Sequence, residues 1–282
     1  MLVTMNEILA DAKKNKYAVG LFNTLNTEMI RGVIAAAEEA KSPVIIGTAE
    51  VLLPHSSLQY LAPQLVSMAK NASVPVAVHY DHGLTEEKCK EALSLGFSSL
   101  MFDGSLSEPE ENVRRTKDMV AYAHAIGVSV EGEIGHVGDN EGAEEASGAA
   151  ADDRYTTVKE AVDFVAATGV DALAIAIGTA HGAYKQPPKL DFVRLTEIAA
   201  AVDVPLVLHG GSGVDEASFK KAIECGISKV NIFTDLTVAA ENAMKTAVSQ
   251  GKSYLAAKAD MEEAVKQATL TKMRLFGSVG KA

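Results

Sequence analysis

Eight short runs rich in aliphatic and β-branched residues recur along the chain, at 17–23, 43–48, 74–80, 98–104, 129–135, 172–178, 205–211 and 229–235, each bounded by Gly, Pro or Asp. Their near-continuous apolar character, rather than alternation, is that of strands covered on both faces, as in a parallel sheet. Helical patterns separate them. The clearest opens at Glu108-Pro109 with Glu110 and Glu111 in its first turn, sets Val113, Thr116, Val120 and Ala123 on one face, and stops at Gly127. Proline at the first helical position, early acids and a terminal glycine are the expected start and stop signals. Another helix follows GGSGVD, with Phe219, Ala222 and Ile223 on one face before Gly226. Eight strands alternating with helices predict a (β/α)8 TIM barrel, a single α/β domain over residues 1–282. Extra helices are expected before the first strand (4–15) and beyond the eighth, through about residue 276. A doubly wound open sheet is the alternative, but it usually has fewer strands, and no GxGxxG turn follows the first run.

The net charge is −11, from 26 basic and 37 acidic residues. That argues against a nucleic-acid partner, which would require many phosphates to be neutralised by Lys and Arg. A small anionic substrate remains compatible, because backbone N–H groups and a helix terminus can hold a phosphate. Only Cys89 and Cys225 occur, both in helix-like stretches without a CxxC neighbour, so no disulfide framework is expected. The opening MLVTMNEILADAKK lacks the apolar core of a secretory signal. No apolar run approaches the roughly 18 residues of a membrane span. The expectation is a cytoplasmic protein with no membrane partner.

Three of the runs end in a histidine: VPVAVHYDHG with His82, ALAIAIGTAHG with His181 and VPLVLHGGSG with His209. The C-terminal ends of barrel strands form the catalytic face of this fold. Any one of these residues alone reads as a core or rim histidine. Three on one face can together hold a zinc ion and leave a coordination position open for chemistry. His55 and His124 lie in loop or helix contexts and read as surface residues; His79 reads as structural, and His136 has no assignment. Asp81 neighbours His82. Strict alternation would put the two on opposite sides of a strand, but strand ends often leave that geometry. A carboxylate beside a divalent metal suits a general base. Asp103, Glu131 and Glu133 end the fourth and fifth runs. They are either buried acids paired with rim lysines or partners that orient the histidines, with Asp103 and Glu133 also able to serve as ligands of an alternative metal position. HGGSG (209–213) and NIFTD (231–235) close the seventh and eighth runs, where barrel enzymes commonly bind phosphate. Residues 136–156 lack periodicity and follow the fifth run on the catalytic face, as a lid would.

These motifs resemble the class II, zinc-dependent ketose-bisphosphate aldolases of the fructose- and tagatose-bisphosphate type. The likeness spans the chain through YAVGLFN, EEAKSPVI, VHYDHG, GFSSLMFDGS, EENVRRTK, VSVEGEIGHVG, DALAIAIGTAHGAYK, VPLVLHGGSG, KVNIFTD and MRLFGSVGKA. The resemblance implies Zn2+ on His82, His181 and His209, with Asp81 as the proton-transfer residue. It implies a substrate and phosphate site from Asn23, Gly182, Gly210, Gly211, Ser212, Asn231 and Thr234, with a monovalent cation, Na+ or K+, close by. It also implies a mobile-loop acid, for which Glu141 is the best match, and a homodimer or homotetramer. The implied reaction is reversible cleavage of a phosphorylated sugar, a ketose 1-phosphate or 1,6-bisphosphate, to dihydroxyacetone phosphate and an aldehyde. It passes through an enediolate oriented by Asn231.

Two positions depart from relatives that cleave fructose bisphosphate. Phe233 stands where those tend to carry a small or acidic residue, and Thr237 where some carry an arginine for the distal phosphate. The expectation is a ketose 1-phosphate or an unusual bisphosphate. A metal-dependent hydrolase on the same barrel and a catalytically inactive scaffold subunit are the alternatives. The first run, YAVGLFN, lacks the HxH usual in such hydrolases, and the three histidines with Asp81 argue against an inactive scaffold.

Overall fold

The computed structural model describes residues 1–135, 138–139, 155–182 and 188–282, with Gly138, Asp139 and His181 described by their backbone alone. All eight runs are strands: β1 (Val19–Asn23), β2 (Val44–Ala49), β3 (Val76–Gly83), β4 (Ser99–Phe102), β5 (Ser129–Ile134), β7 (Ala172–Ile175), β9 (Leu206–Leu208) and β10 (Ile227–Ile232). They pair in parallel in that order and close on themselves through β10 and β1. The fold is therefore a (β/α)8 barrel, as the alternation of elements predicts. A two-stranded sheet of β6 (Gly138–Asp139) and β8 (Ala180–His181) was not anticipated from the sequence. Strands of two residues carry no periodic signal.

The helices are α1 (Met5–Asn15), α2 (Thr27–Ala40), α3 (Leu58–Asn71), α4 (Glu86–Ser94), α5 (Pro109–His124), α6 (Val158–Thr168), α7 (Phe192–Ala201), α8 (Glu216–Glu224), α9 (Thr234–Ser249) and α10 (Tyr254–Phe276). Their boundaries have local causes. Thr4 and Glu7 form a reciprocal capping box at the start of α1, and Pro109 takes the first turn of α5. The Asp215 side chain accepts a hydrogen bond from Ser218 N at 3.0 Å, capping α8. α5 buries Thr116, Met119, Val120 and Ala123, and α8 buries Phe219, Ala222 and Ile223. α10 packs on α2 and α9, with Phe276 edge-on to Phe219 at 5.3 Å between ring centres. Among the described residues, no helix is long and apolar enough to cross a membrane.

Two cores result from the period of the strands. Outward residues such as Phe22, Ile46, Val78, Leu100, Val130 and Ile175 pack beneath the helices. Inside the barrel, α1 closes the lower end: Met5 and Leu9 pack with Val19, Leu21, Ile45, Ala77, Ala172, Ala174 and Val207. Each fully buried large side chain there contributes about 1.5–3 kcal/mol. Above this plug the interior becomes polar, with His79, Asp81, Glu131, His209 and Lys229 all buried.

Candidate active site

The site begins with a turn. In β3, Ala77, His79 and Asp81 pair with Ile45, Gly47 and Ala49 of β2 and face inward. Tyr80 faces outward onto Phe97, edge to face with centres 5.9 Å apart. Regular alternation would also send His82 outward. Instead His82 adopts the left-handed conformation, φ 43°, and the ladder to β4 shifts register between Tyr80 and Gly83. This bulge turns His82 toward the barrel mouth beside Asp81, at a cost of about 1–2 kcal/mol for a residue with a Cβ. Gly83 must follow, because a Cβ there would stand 2.4 Å from Cys89 Sγ and 2.8 Å from the Met101 carbonyl.

Two carboxylates then set the faces of the two imidazoles. His82 Nδ1–H donates to Asp103 Oδ2 at 2.8 Å, and His209 Nε2–H donates to Glu131 Oε1 at 2.8 Å. The opposite nitrogens, His82 Nε2 and His209 Nδ1, approach each other to 2.9 Å. Zinc–nitrogen bonds of 2.0–2.1 Å in tetrahedral geometry separate neighbouring nitrogens by about 3.3 Å. Possible ligand atoms of Asp81, His82 and His209 all lie within 4.8 Å of one another, as do those of His82, Asp103 and Glu133. Glu133 Oε2 is buried with no hydrogen-bond partner, 4.0 Å from His209 Nδ1. These residues fit a divalent cation. The third histidine of the sequence reading, His181, ends β8, but its side chain is outside the described residues.

Electrostatics point the same way. Burial alone would lower the His82 imidazole, but Asp81, Asp103 and Glu133 together raise its pKa to about 10. Burial and the charge of Asp103 push the Glu133 carboxyl well above its usual range. A cluster so rich in carboxylate draws a proton onto one imidazole and another onto one acid. A metal ion answers the same excess of negative charge.

Asp81 is gripped from both sides. Its Oδ2 accepts from Asn23 Nδ2 at 2.7 Å and its Oδ1 from Asn231 Nδ2 at 3.0 Å. Burial opposes ionisation, but the positive charge of His82, then of His209 and Lys229, holds the carboxyl below the usual range. The amide oxygens Asn23 Oδ1 and Asn231 Oδ1 are buried without protein partners. Each can accept a hydrogen bond from a hydroxyl group.

A polar layer lies directly beneath. Lys229 Nζ donates to Glu131 Oε2 at 2.7 Å, so one carboxylate bridges Lys229 and His209. Glu131 thus pairs with a lysine of the barrel interior, not of the rim. His79 faces the same interior, with Nδ1 2.6 Å from Ser99 Oγ and Nε2 3.7 Å from Asp81 Oδ1. Burial, then the charge of Lys229, lowers its pKa to about 3, so it is neutral. Lys229 was missed in the sequence. Its signal was a cation inside the apolar run KVNIFTD, two positions before Asn231 on the same strand face.

These groups open into a cavity of 340 Å3. Gly182, Gly210, Gly211, Ser212 and Thr234, the positions that the resemblance implies for phosphate, line one end of it. Gly211 tolerates no side chain: a Cβ would stand 2.7 Å from Val230 Cγ1 and 2.9 Å from the Asn231 carbonyl. α9 starts at this end, and its first turn has no side-chain cap from Phe233, while Asp235 N–H donates to Ser212 Oγ at 3.3 Å. A long helix with its N-terminus toward a glycine-lined cavity suits an anion. The rest of the wall carries Val51, Leu52, Leu84, Leu106 and Phe233, and no Lys or Arg lines the cavity among the described residues. Thr237 sits one turn into α9, its hydroxyl donating back to the Thr234 carbonyl at 2.9 Å. Glu141, with His136 and most of the expected lid segment, lies outside the described residues. His55 is exposed, and His124 bonds Asp171 at 2.8 Å on the surface.

Comparison with known proteins agrees with this geometry. The family model for class II fructose-bisphosphate aldolase matches residues 3–281. A 6-phospho-5-dehydro-2-deoxy-D-gluconate aldolase from Shouchella clausii is 41% identical over 286 residues, covering 99% of this chain and 96% of that protein. A fructose-bisphosphate aldolase from Staphylococcus aureus strain Mu50 is 40% identical over 287 residues, covering 100% of this chain and 99% of that one. The crystal structure of the YdjI aldolase from Escherichia coli K12 covers both chains in full, with a TM-score of 0.91 at 42% identity. With its barrel, its paired imidazoles and its glycine-lined cavity, this chain belongs to the class II fructose-bisphosphate aldolase family of lyases.

Proposed function

We propose that the protein reversibly cleaves a ketose 1-phosphate into dihydroxyacetone phosphate and an aldehyde, with Zn2+ held by His82, His209 and His181. The observation that carries this reading is the approach of His82 Nε2 to His209 Nδ1 beside a buried Asp81. A divalent ion there supplies a Lewis acid for the ketose carbonyl and for the negative charge that develops when the C3–C4 bond breaks. The chain's own residues do the rest. Asp81 takes the C4 hydroxyl proton as the aldehyde forms, and returns it in the condensation direction. Asn23 and Asn231 hold Asp81 through their amide N–H groups, and their oxygens orient substrate hydroxyls. Gly211, Ser212 and the N-terminus of α9 hold the phosphate. Glu141 is the proposed acid that exchanges the C–H proton.

A single phosphate is favoured because no Lys or Arg lines the cavity among the described residues and Thr237 offers no cation. The relatives' names include both a bisphosphate and a sugar acid with one phosphate, so the family accommodates either. The test is coupled cleavage of a panel of ketose phosphates with and without chelator. Chelation is expected to abolish activity and added Zn2+ to restore it, with kcat/KM for the best 1-phosphate at least about tenfold above that for fructose 1,6-bisphosphate, a difference of about 1.4 kcal/mol in transition-state binding. Activity insensitive to chelator would overturn the metal mechanism. Equal kcat/KM for the two substrates would overturn the single-phosphate assignment.

A further inference from the structure

Glu50 follows β2, outside every motif singled out in the sequence, yet its carboxylate meets four donors from the segment that carries Asp81 and His82. Oε2 accepts from Leu84 N at 3.0 Å, Thr85 N at 3.3 Å and Tyr80 Oη at 3.2 Å. Oε1 accepts from Thr85 Oγ1 at 2.9 Å. The donors bracket the left-handed residue: Tyr80 lies two positions before His82, Leu84 and Thr85 two and three after. Thr85 is also the N-cap of α4, so the clamp ties the turn to the next helix. From the same stretch of chain, Ala49 at the end of β2 and Val51 and Leu52 beyond it reach the cavity wall. One carboxylate therefore joins the turn behind the metal site to the wall that faces the substrate.

We propose that Glu50 is a positioning residue for the cleavage reaction. It holds the bulge at His82 in the one arrangement that aims both Asp81 and His82 into the cavity. Without it, the turn has an alternative that relieves the positive φ: regular alternation, with His82 rotated away from Asp81. The Asp103 hydrogen bond fixes the His82 ring about its own axis, whereas Glu50 fixes the backbone that carries the ring. This role rests on the reading of His82 as a metal ligand and Asp81 as the proton-transfer residue.

Glu50→Gln tests it, because the amide keeps the size but removes the charge and leaves one neutral acceptor oxygen where the carboxylate presents two oxygens to four donors. The full-length variant is expected to bind Zn2+ about 10- to 100-fold more weakly in chelator competition, and to shift the visible absorption of bound Co2+. Its kcat is expected to fall about 10- to 100-fold with KM changed less than about threefold. Leu270→Ala, in the buried face of α10, serves as a control for lost stability and is expected to leave metal affinity and the Co2+ spectrum unchanged. Wild-type Zn2+ affinity and an unchanged Co2+ spectrum in E50Q would overturn the proposal. So would an equal loss of Zn2+ affinity in L270A. Failure of the wild type to bind Zn2+ would overturn both this role and the proposed function, whereas equal binding by wild type and E50Q removes only the role of Glu50.

Discussion

The lower and upper halves of the barrel interior are built by the same strands in the same register, and they have opposite characters. Below, Val19, Leu21, Ile45, Ala77 and Val207 meet Met5 and Leu9 of α1 in a dry plug. Above, residues from those strands and their neighbours are His79, Asp81, Glu131, Lys229 and Asn231, all buried. The inward face of a strand is thus two environments in sequence along one line. Apolar burial at the bottom stabilises the barrel. The polar layer persists at the top because its charges are paired, Lys229 with Glu131, Glu131 with His209 and His82 with Asp103, while Glu133, whose Oε2 has no hydrogen-bond partner, is pushed toward its neutral form.

The comparison can be broken most directly at its upper edge. Asp81→Asn is expected to lower kcat about 100- to 10,000-fold while Zn2+ remains bound, measured by cleavage assay and metal analysis. Near-normal turnover would remove Asp81 from the chemistry. Lys229→Met leaves Glu131 buried and uncompensated, and is expected to destabilise the fold by about 3–5 kcal/mol in urea titrations. Replacing both members, K229M with E131L, should restore most of that stability yet leave Zn2+ affinity about 10- to 100-fold reduced, since His209 loses its acceptor. If the double variant binds Zn2+ normally, the layer beneath is only packing. In the plug, Leu9→Ala is expected to lose about 2–5 kcal/mol with kcat and KM unchanged at 25 °C.

The effect confined to alkaline pH concerns Cys89, packed behind the turn at Gly83. Burial first, then the charge of Glu50, raises its thiol pKa to about 12 from an ordinary 9.0. A folded pKa above the unfolded one gives stability that is full below pH 9.0 and lost as pH rises through about 12. Relative to Cys89→Ala, the wild type should therefore lose stability over that window, read from urea midpoints. A pH-independent difference would show that the thiol ionises as easily folded as unfolded.

Some of this was legible in the sequence. All eight strands, the first helix and the extended C-terminal helices follow from apolar runs and caps, because burial and hydrogen bonding act locally. The strand ends carrying His82 and His209 were legible too, since the direction of a parallel barrel puts strand C-termini on one face. Three features were not. That a strand end can set His82 beside Asp81 was legible, but the means, φ above zero at a non-glycine residue, has no signal in the sequence. Lys229 looked like any charge in a strand. Glu50 meets Thr85 across 35 residues, and no short spacing announces such a contact.

By itself, then, the sequence determined the class of fold and the residues available at its catalytic face. Both depend on periodicity and order along the chain, which a linear pattern retains. Only the tertiary structure decided which imidazole nitrogens face each other, how deep each charge lies and which carboxylate holds which donor. Those depend on distances between strands and on the hand of one turn. Neither is written in any single segment.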